Sequence, residues 1–172
     1  MGAARGVRPR HCSVIARRLA LVVLTGATII LQCSADGKNE LTSPAGPRSH
    51  IESFNESLDY SQVRFVSALE TSPGTYRFDV TLRHHDEGWD HYADQWEVID
   101  PETGHVYGER VLAHPHGDEQ PFVRSQSNIE IPAELSAVIV RSRCNVHGYG
   151  GQALLVELRQ RTSTLFEITR IK

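Results

Sequence analysis

From residue 61 onward the chain alternates apolar and polar positions in short runs separated by turn residues, the period-two pattern of half-buried strands. Residues 76–82 (Tyr-Arg-Phe-Asp-Val-Thr-Leu) alternate most cleanly. The pattern predicts strands at 63–69, 76–82, 95–99, 105–112, 122–131, 137–143 and 153–158. Ser72-Pro73-Gly74 turns the first into the second, and Asp100-Pro101-Glu102-Thr103-Gly104 is a hairpin-type turn between the third and fourth. Seven short strands, with Trp96 on the third and no long helical period competing, predict an all-β chain folded as a single immunoglobulin-like or fibronectin-III-like β-sandwich. Residues 159–172 fit either an extension of the last strand or a peripheral tail.

Upstream the pattern is different. Arg5, Arg8, Arg10, Arg17 and Arg18 precede an apolar run over residues 19–31, and small residues follow at Cys33-Ser34-Ala35, the three-part layout of an export signal. Gly26 and Thr28 interrupt the run, which is shorter than the roughly 20 residues of a membrane span. Export is therefore expected in preference to a retained anchor. Two cleavage chemistries compete. Ile30-Leu31-Gln32-Cys33 resembles a lipobox, with lipidation at Cys33, although Gln32 stands where a small residue is wanted. Alternatively Cys33 and Ala35 fill the small positions of an ordinary cleavage site, giving a soluble protein that begins at Asp36. The Arg17-Arg18 pair is only a weak sign of twin-arginine export. Residues 34–60, rich in Ser, Gly, Asn and Pro, read as a flexible tether. The expected organisation is a signal over 1–33, a tether over 34–60, a sandwich over 61–160 and a C-terminal extension over 161–172. The expected location is the periplasm, or the outer membrane or cell surface as a lipoprotein.

Composition sharpens this picture through charge. The 172 residues carry a formal net charge of −3, but residues 1–32 hold five arginines and no acidic residue. Without them the chain has 13 basic and 21 acidic residues, a net charge of −8. So acidic a body is a poor match for nucleic acid or anionic lipid, so membrane contact is expected through a lipid anchor alone. Of the cysteines, Cys12 and Cys33 belong to the signal region, leaving Cys144 at the end of the sixth strand. It reads as a small buried hydrophobe, with a metal ligand or a reactive thiol as the alternative.

The histidines carry the candidate chemistry. Seven of nine lie between residues 84 and 147, mostly in loops. His84, His85 and His91 occupy the loop after the second strand, His114 and His116 the loop after the fourth, and His147 the loop after the sixth. In an extended backbone residues two apart point the same way, so His114 and His116 are expected to present both rings to one ion. Neutral imidazole suits copper, zinc or nickel, and the nearby carboxylates suit a supporting role. Copper or zinc is the expected ion, and in the sandwich the loops after strands two and six share one end. The competing reading is structural, with histidines bonded to backbone or carboxylates and Trp89, His91 and Tyr92 packing a long loop.

Signs of catalysis are absent from the sequence pattern. Ser125 and Ser127 follow no nucleophile-elbow spacing, and Asp86, Asp90 and Asp94 look like loop formers rather than an acid/base pair. Gly148-Tyr149-Gly150-Gly151 precedes a strand, not a helix, which suits a tight turn or bulge rather than a phosphate cradle. An enzyme is thus the less favoured reading. The alternative to metal binding is a metal-free interaction module for an envelope protein, using Trp89, Tyr92, Tyr107 and Tyr149 as contacts.

Five segments together resemble a known pattern: Phe78-Asp79-Val80-Thr81-Leu82-Arg83-His84; Gly88-Trp89-Asp90-His91-Tyr92-Ala93-Asp94-Gln95-Trp96; His114-Pro115-His116 with Glu119-Gln120-Pro121-Phe122; Ile131-Pro132; and His147-Gly148-Tyr149-Gly150-Gly151. They are similar to a family of small exported bacterial proteins of unknown function, over about residues 62 to 158. The resemblance implies an exported single domain in which the three histidine loops belong to one pattern. It implies no catalytic or binding residue.

Overall fold

The computed structural model describes Ile51 and residues 53–171. The signal region, Cys33 and most of the tether lie outside the described residues. Among the described residues no helix is long and apolar enough to cross a membrane.

Two sheets face each other. One holds β1 (Gln62–Ser72), β2 (Thr75–Arg83), β5 (Phe122–Glu130) and β9 (Phe166–Arg170) in the order β5-β2-β1-β9. The other runs β4-β3-β6 through β4 (Val106–Val111), β3 (Ala93–Ile99) and β6 (Ala137–Cys144). The free side of β6 is shared. β7 (Gly148–Tyr149) pairs with its last residues and β8 (Leu154–Glu157) with its first four. With β1-β2-β5 on one side and β4-β3-β6-β8 on the other, the seven expected strands make an immunoglobulin-like sandwich.

The alternation seen in the sequence accounts for the core. Along β2, Tyr76, Phe78, Val80 and Leu82 are buried while the residues between them are not. They meet Trp96 and Val98 of β3 and Val138 and Val140 of β6. Trp96 and Phe78 are fully buried. Each such side chain contributes about 1.5–3 kcal/mol or more of transfer free energy, which is why one inward face per strand suffices to fix register.

Two boundaries differ from the sequence reading. Residues 166–170, expected in a C-terminal extension, form β9, which pairs in parallel with β1 from Val66↔Phe166 to Glu70↔Arg170 and buries Phe166 and Ile168. Residues 53–60, expected to end the tether, are bonded to the domain. Asn55 N–H donates to Gly150 O at 2.9 Å and His85 N–H to Leu58 O at 2.9 Å. These residues form a strap across one end of the sandwich. Gly150 and Gly151 admit it, because a Cβ on Gly151 would lie 2.1 Å from Ser61 O and one on Gly150 2.6 Å from the Tyr60 ring. Gly148 has φ +68°, the tight-turn duty expected of this glycine cluster.

Strand register brings the strap and three loops together. Gln62 pairs with Arg83, Leu82 with Phe122, and Ala93 with Cys144. The start of β1, the end of β2, the start of β3, the start of β5 and the end of β6 therefore lie side by side.

Candidate metal centre

At that end, His84, His91 and Cys144 converge. One donor atom from each lies within 4.8 Å of the others, and all three residues are buried. Among the described residues this is the group of three or more His, Cys, Asp or Glu side chains that meets such a criterion. His84 follows the last residue of β2, so its ring continues the inward face of that strand, whereas His85 alternates outward.

Each histidine is held from behind. Asp86 Oδ1 lies 2.6 Å from His84 Nδ1, and Glu87 Oε2 lies 3.2 Å from His91 Nδ1. A carboxylate only accepts, so these partners assign the ring proton of each neutral imidazole to Nδ1 and leave the Nε2 lone pair facing inward. Both Nε2 atoms face the main-chain oxygen of Asp59, at 3.1 Å from His84 and 3.2 Å from His91. The Cys144 thiol faces the same oxygen at 3.3 Å. In the neutral state these four atoms share one proton, that of the thiol. Two nitrogen lone pairs then oppose an oxygen lone pair inside a buried site. A cation relieves that opposition: protons on both rings, or a metal ion.

His147 completes the rim. Its N–H donates to Cys144 Sγ at 3.1 Å, and its Nδ1 lies 3.5 Å from the same sulfur. Its ring contacts His91 and Tyr60, with centroids 4.9 and 5.2 Å apart. The spacing Cys144-Asn145-Val146-His147 forms the turn that brings amide and imidazole back to the sulfur. Asn145 ties this turn to the loop after β2, accepting from Tyr92 N–H at 2.9 Å and donating to the carbonyls of Trp89 and Asp90 at 3.3 and 3.2 Å.

Asp86 organises the third loop. Burial pushes its carboxyl up, but the hydrogen bonds from His84, the His116 N–H and the Ala93 N–H outweigh burial and hold it below the usual carboxylate range. The side chain is fully buried. Burial also pushes the His116 pKa down, with Arg124 and His114 adding to the effect and Asp86 and Glu119 opposing it.

The structure thus brings together His84, His91 and His147 of the expected histidines. It leaves the others outside the cluster. His85 is exposed, with Nδ1 4.0 Å from Glu87 Oε1. His114 is exposed and its Nδ1 bonds to Pro115 O at 3.0 Å. His116 is buried and stacked on Phe122 with centroids 4.1 Å apart. The His114 and His116 rings do touch, at 4.4 Å, but the chain turns into the short 3-10 segment Gly117–Glu119 instead of running extended. Their loop reaches the His84, His91 and Cys144 cluster through Asp86, which accepts from the His116 N–H. The aromatic candidates are dispersed. Trp89 is 66% exposed and meets Tyr92 edge-on at 5.9 Å. Tyr149 lies under the Arg141 guanidinium at 4.1 Å, and Tyr107 donates to Asp100 at 3.2 Å. Cys144, read in the sequence first as a buried hydrophobe and only alternatively as a metal ligand, stands beside these histidines, and the Cys-x-x-His spacing was the signal that favoured the alternative.

No protein-family model matches the chain. A "Putative lipoprotein" of Halomicrobium mukohataei is 40% identical over 108 residues, 62% of this chain and 52% of the relative. The chain spans about half the length of that curated relative. Among solved structures, two variants of superoxide reductase (neelaredoxin) from Archaeoglobus fulgidus overlap with TM-scores of 0.37 and 0.38 at 19% and 18% identity. They cover 57% and 61% of this chain, and 90% and 98% of their own. These values mark a partial overlap and transfer no residue role.

Proposed function

We propose that this is an exported envelope protein whose sandwich binds a first-row transition metal through His84 Nε2, His91 Nε2 and Cys144 Sγ, with His147 Nδ1 as the adjacent further donor. The observation that carries the reading is the pairing of inward lone pairs with outward carboxylates. Carboxylate–histidine pairs that fix tautomer and ring direction are the usual support of metal-binding imidazoles. Mixed imidazole and thiolate donors suit copper or zinc. Export is supported by the basic-then-apolar layout before Cys33, and by the lipoprotein description of the Halomicrobium mukohataei relative.

The test is metal content after loading with zinc or copper and exhaustive dialysis, comparing the parent with His91→Ala and with His114→Ala. Near-stoichiometric metal in the parent and His114→Ala, with loss in a folded His91→Ala, is the expected result. No retained metal in the parent overturns it. In that case the exposed Trp89, edge-on to Tyr92 beside the same loops, favours the second reading, an interaction surface for an envelope protein.

A further inference from the structure

We propose that the main-chain carbonyl oxygen of Asp59 is itself a ligand, capping the triangle of His84, His91 and Cys144, so that the strap over residues 53–60 is part of the metal centre. This rests on the metal reading above and adds a donor with no side-chain signature.

The distances carry it. The Asp59 oxygen lies 3.1, 3.2 and 3.3 Å from the three donor atoms. A point so nearly equidistant lies on the axis through the centre of their triangle. Three atoms within 4.8 Å of one another share a centre no more than about 2.8 Å from each, at most about 0.5–0.8 Å beyond zinc–ligand bonds, so the donors need close in only slightly on an ion. An oxygen farther from all three than that centre stands above their plane, in an axial position. Two imidazoles, a thiolate and an axial main-chain oxygen form a known donor set for copper.

Four other carbonyls of the strap, those of Asn55, Ser57, Leu58 and Tyr60, are already used. Gln62 Nε2 donates to Asn55 O, Ser57 O and Tyr60 O at 2.8, 2.9 and 3.0 Å. Leu58 O accepts from His85 N–H. Gln62 Oε1 accepts from Gln152 N–H at 2.7 Å, which anchors the clamp to the approach of β8. Between these fixed points Asp59 O is turned inward, while its carboxylate faces outward and accepts from Ser57 Oγ at 2.8 Å. Gln62 is thus a positioning residue: it reaches no donor atom, but it sets the strap that presents the oxygen.

The experiment is a zinc titration of the full-length protein labelled with carbon-13 at aspartate carbonyls, together with a Gln62→Ala variant examined with zinc and with cobalt(II). Ligation predicts that one equivalent of zinc shifts the Asp59 carbonyl resonance in slow exchange. It also predicts that Gln62→Ala weakens zinc binding about tenfold while the cobalt thiolate charge-transfer band persists. An unshifted Asp59 carbonyl in zinc-loaded protein overturns the inference and leaves the His84, His91 and Cys144 site standing; this arm needs only the parent, should Gln62→Ala fail to fold. A parent that takes up neither metal overturns both.

Discussion

The Asp86 carboxylate lies 2.6 Å from His84 Nδ1 and at the same time receives the main-chain N–H groups of Ala93 and His116. One buried side chain therefore directs a donor ring and joins the loop before β3 to the loop before β5. Asp86→Asn cannot accept at every one of these positions, since one end of an amide donates. The expected cost is about 1–3 kcal/mol of stability from imperfectly paired buried groups, read from the denaturant midpoint. Metal affinity is expected to fall about 10–100-fold, read by competition with a chromophoric chelator.

The same carboxyl gives an acid dependence with a definite sign. Its folded pKa is depressed, so its contribution to stability is present above the unfolded value of about 3.9 and is lost as pH falls through the lower folded one. Below both, parent and Asp86→Asn converge. Denaturant midpoints measured down to that range should show the gap closing, and a gap independent of pH contradicts the assignment.

Cys144 is the one soft donor of the proposed site. Cys144→Ser keeps the size of the residue and a hydroxyl that can face Asp59 O, so the sandwich is expected to stay folded. Cobalt(II) bound to this variant should lack the thiolate charge-transfer absorption. Affinity should fall by more than the 10–100-fold that loss of a supporting partner costs. An unchanged cobalt spectrum removes Cys144 from the site.

Away from the centre, Tyr149 is pushed up to about 12, first by burial and then by the charge and hydrogen bond of Glu97, with Arg141 and Arg143 opposing. Its contribution to stability is complete below the unfolded value of about 10 and is lost as pH rises from there through about 12. Glu97→Gln removes the secondary cause and leaves burial, so the Tyr149 ionisation should move down yet stay above 10. The ring-carbon NMR titration of Tyr149 measures it directly.

Much of the sandwich is written in local alternation, and residues 76–82 are the clearest case: Tyr76, Phe78, Val80 and Leu82 all face the core. β9 carries too little of it. Phe166 and Ile168 alternate with exposed neighbours, but two inward residues are too short a run to mark a strand, and its partner β1 lies about a hundred positions earlier. The centre was half legible. Loop position marked His84, His91 and His147, but only the end of β2 at Arg83 decides that His84 turns inward and His85 outward. Cys144 sits in a strand and reads as packing until the turn to His147 is seen. Asp59 faces the cluster through its main-chain oxygen, which leaves no trace in residue type.

β9 yields a stability prediction of its own. Ile168 is 4% exposed between β1 and the core. Ile168→Ala should cost about 2–5 kcal/mol, whereas a peripheral tail would tolerate it within about 0.5 kcal/mol. Chemical denaturation of the metal-free protein separates the two.

The most direct measurement is anomalous diffraction from crystals of the zinc- or copper-loaded protein, recorded at the absorption edge of the metal. One dominant peak is expected among His84 Nε2, His91 Nε2 and Cys144 Sγ, on the Asp59 side of their plane. A peak at His114 and His116 with that cluster empty, or none in crystals shown to take up no metal, contradicts it.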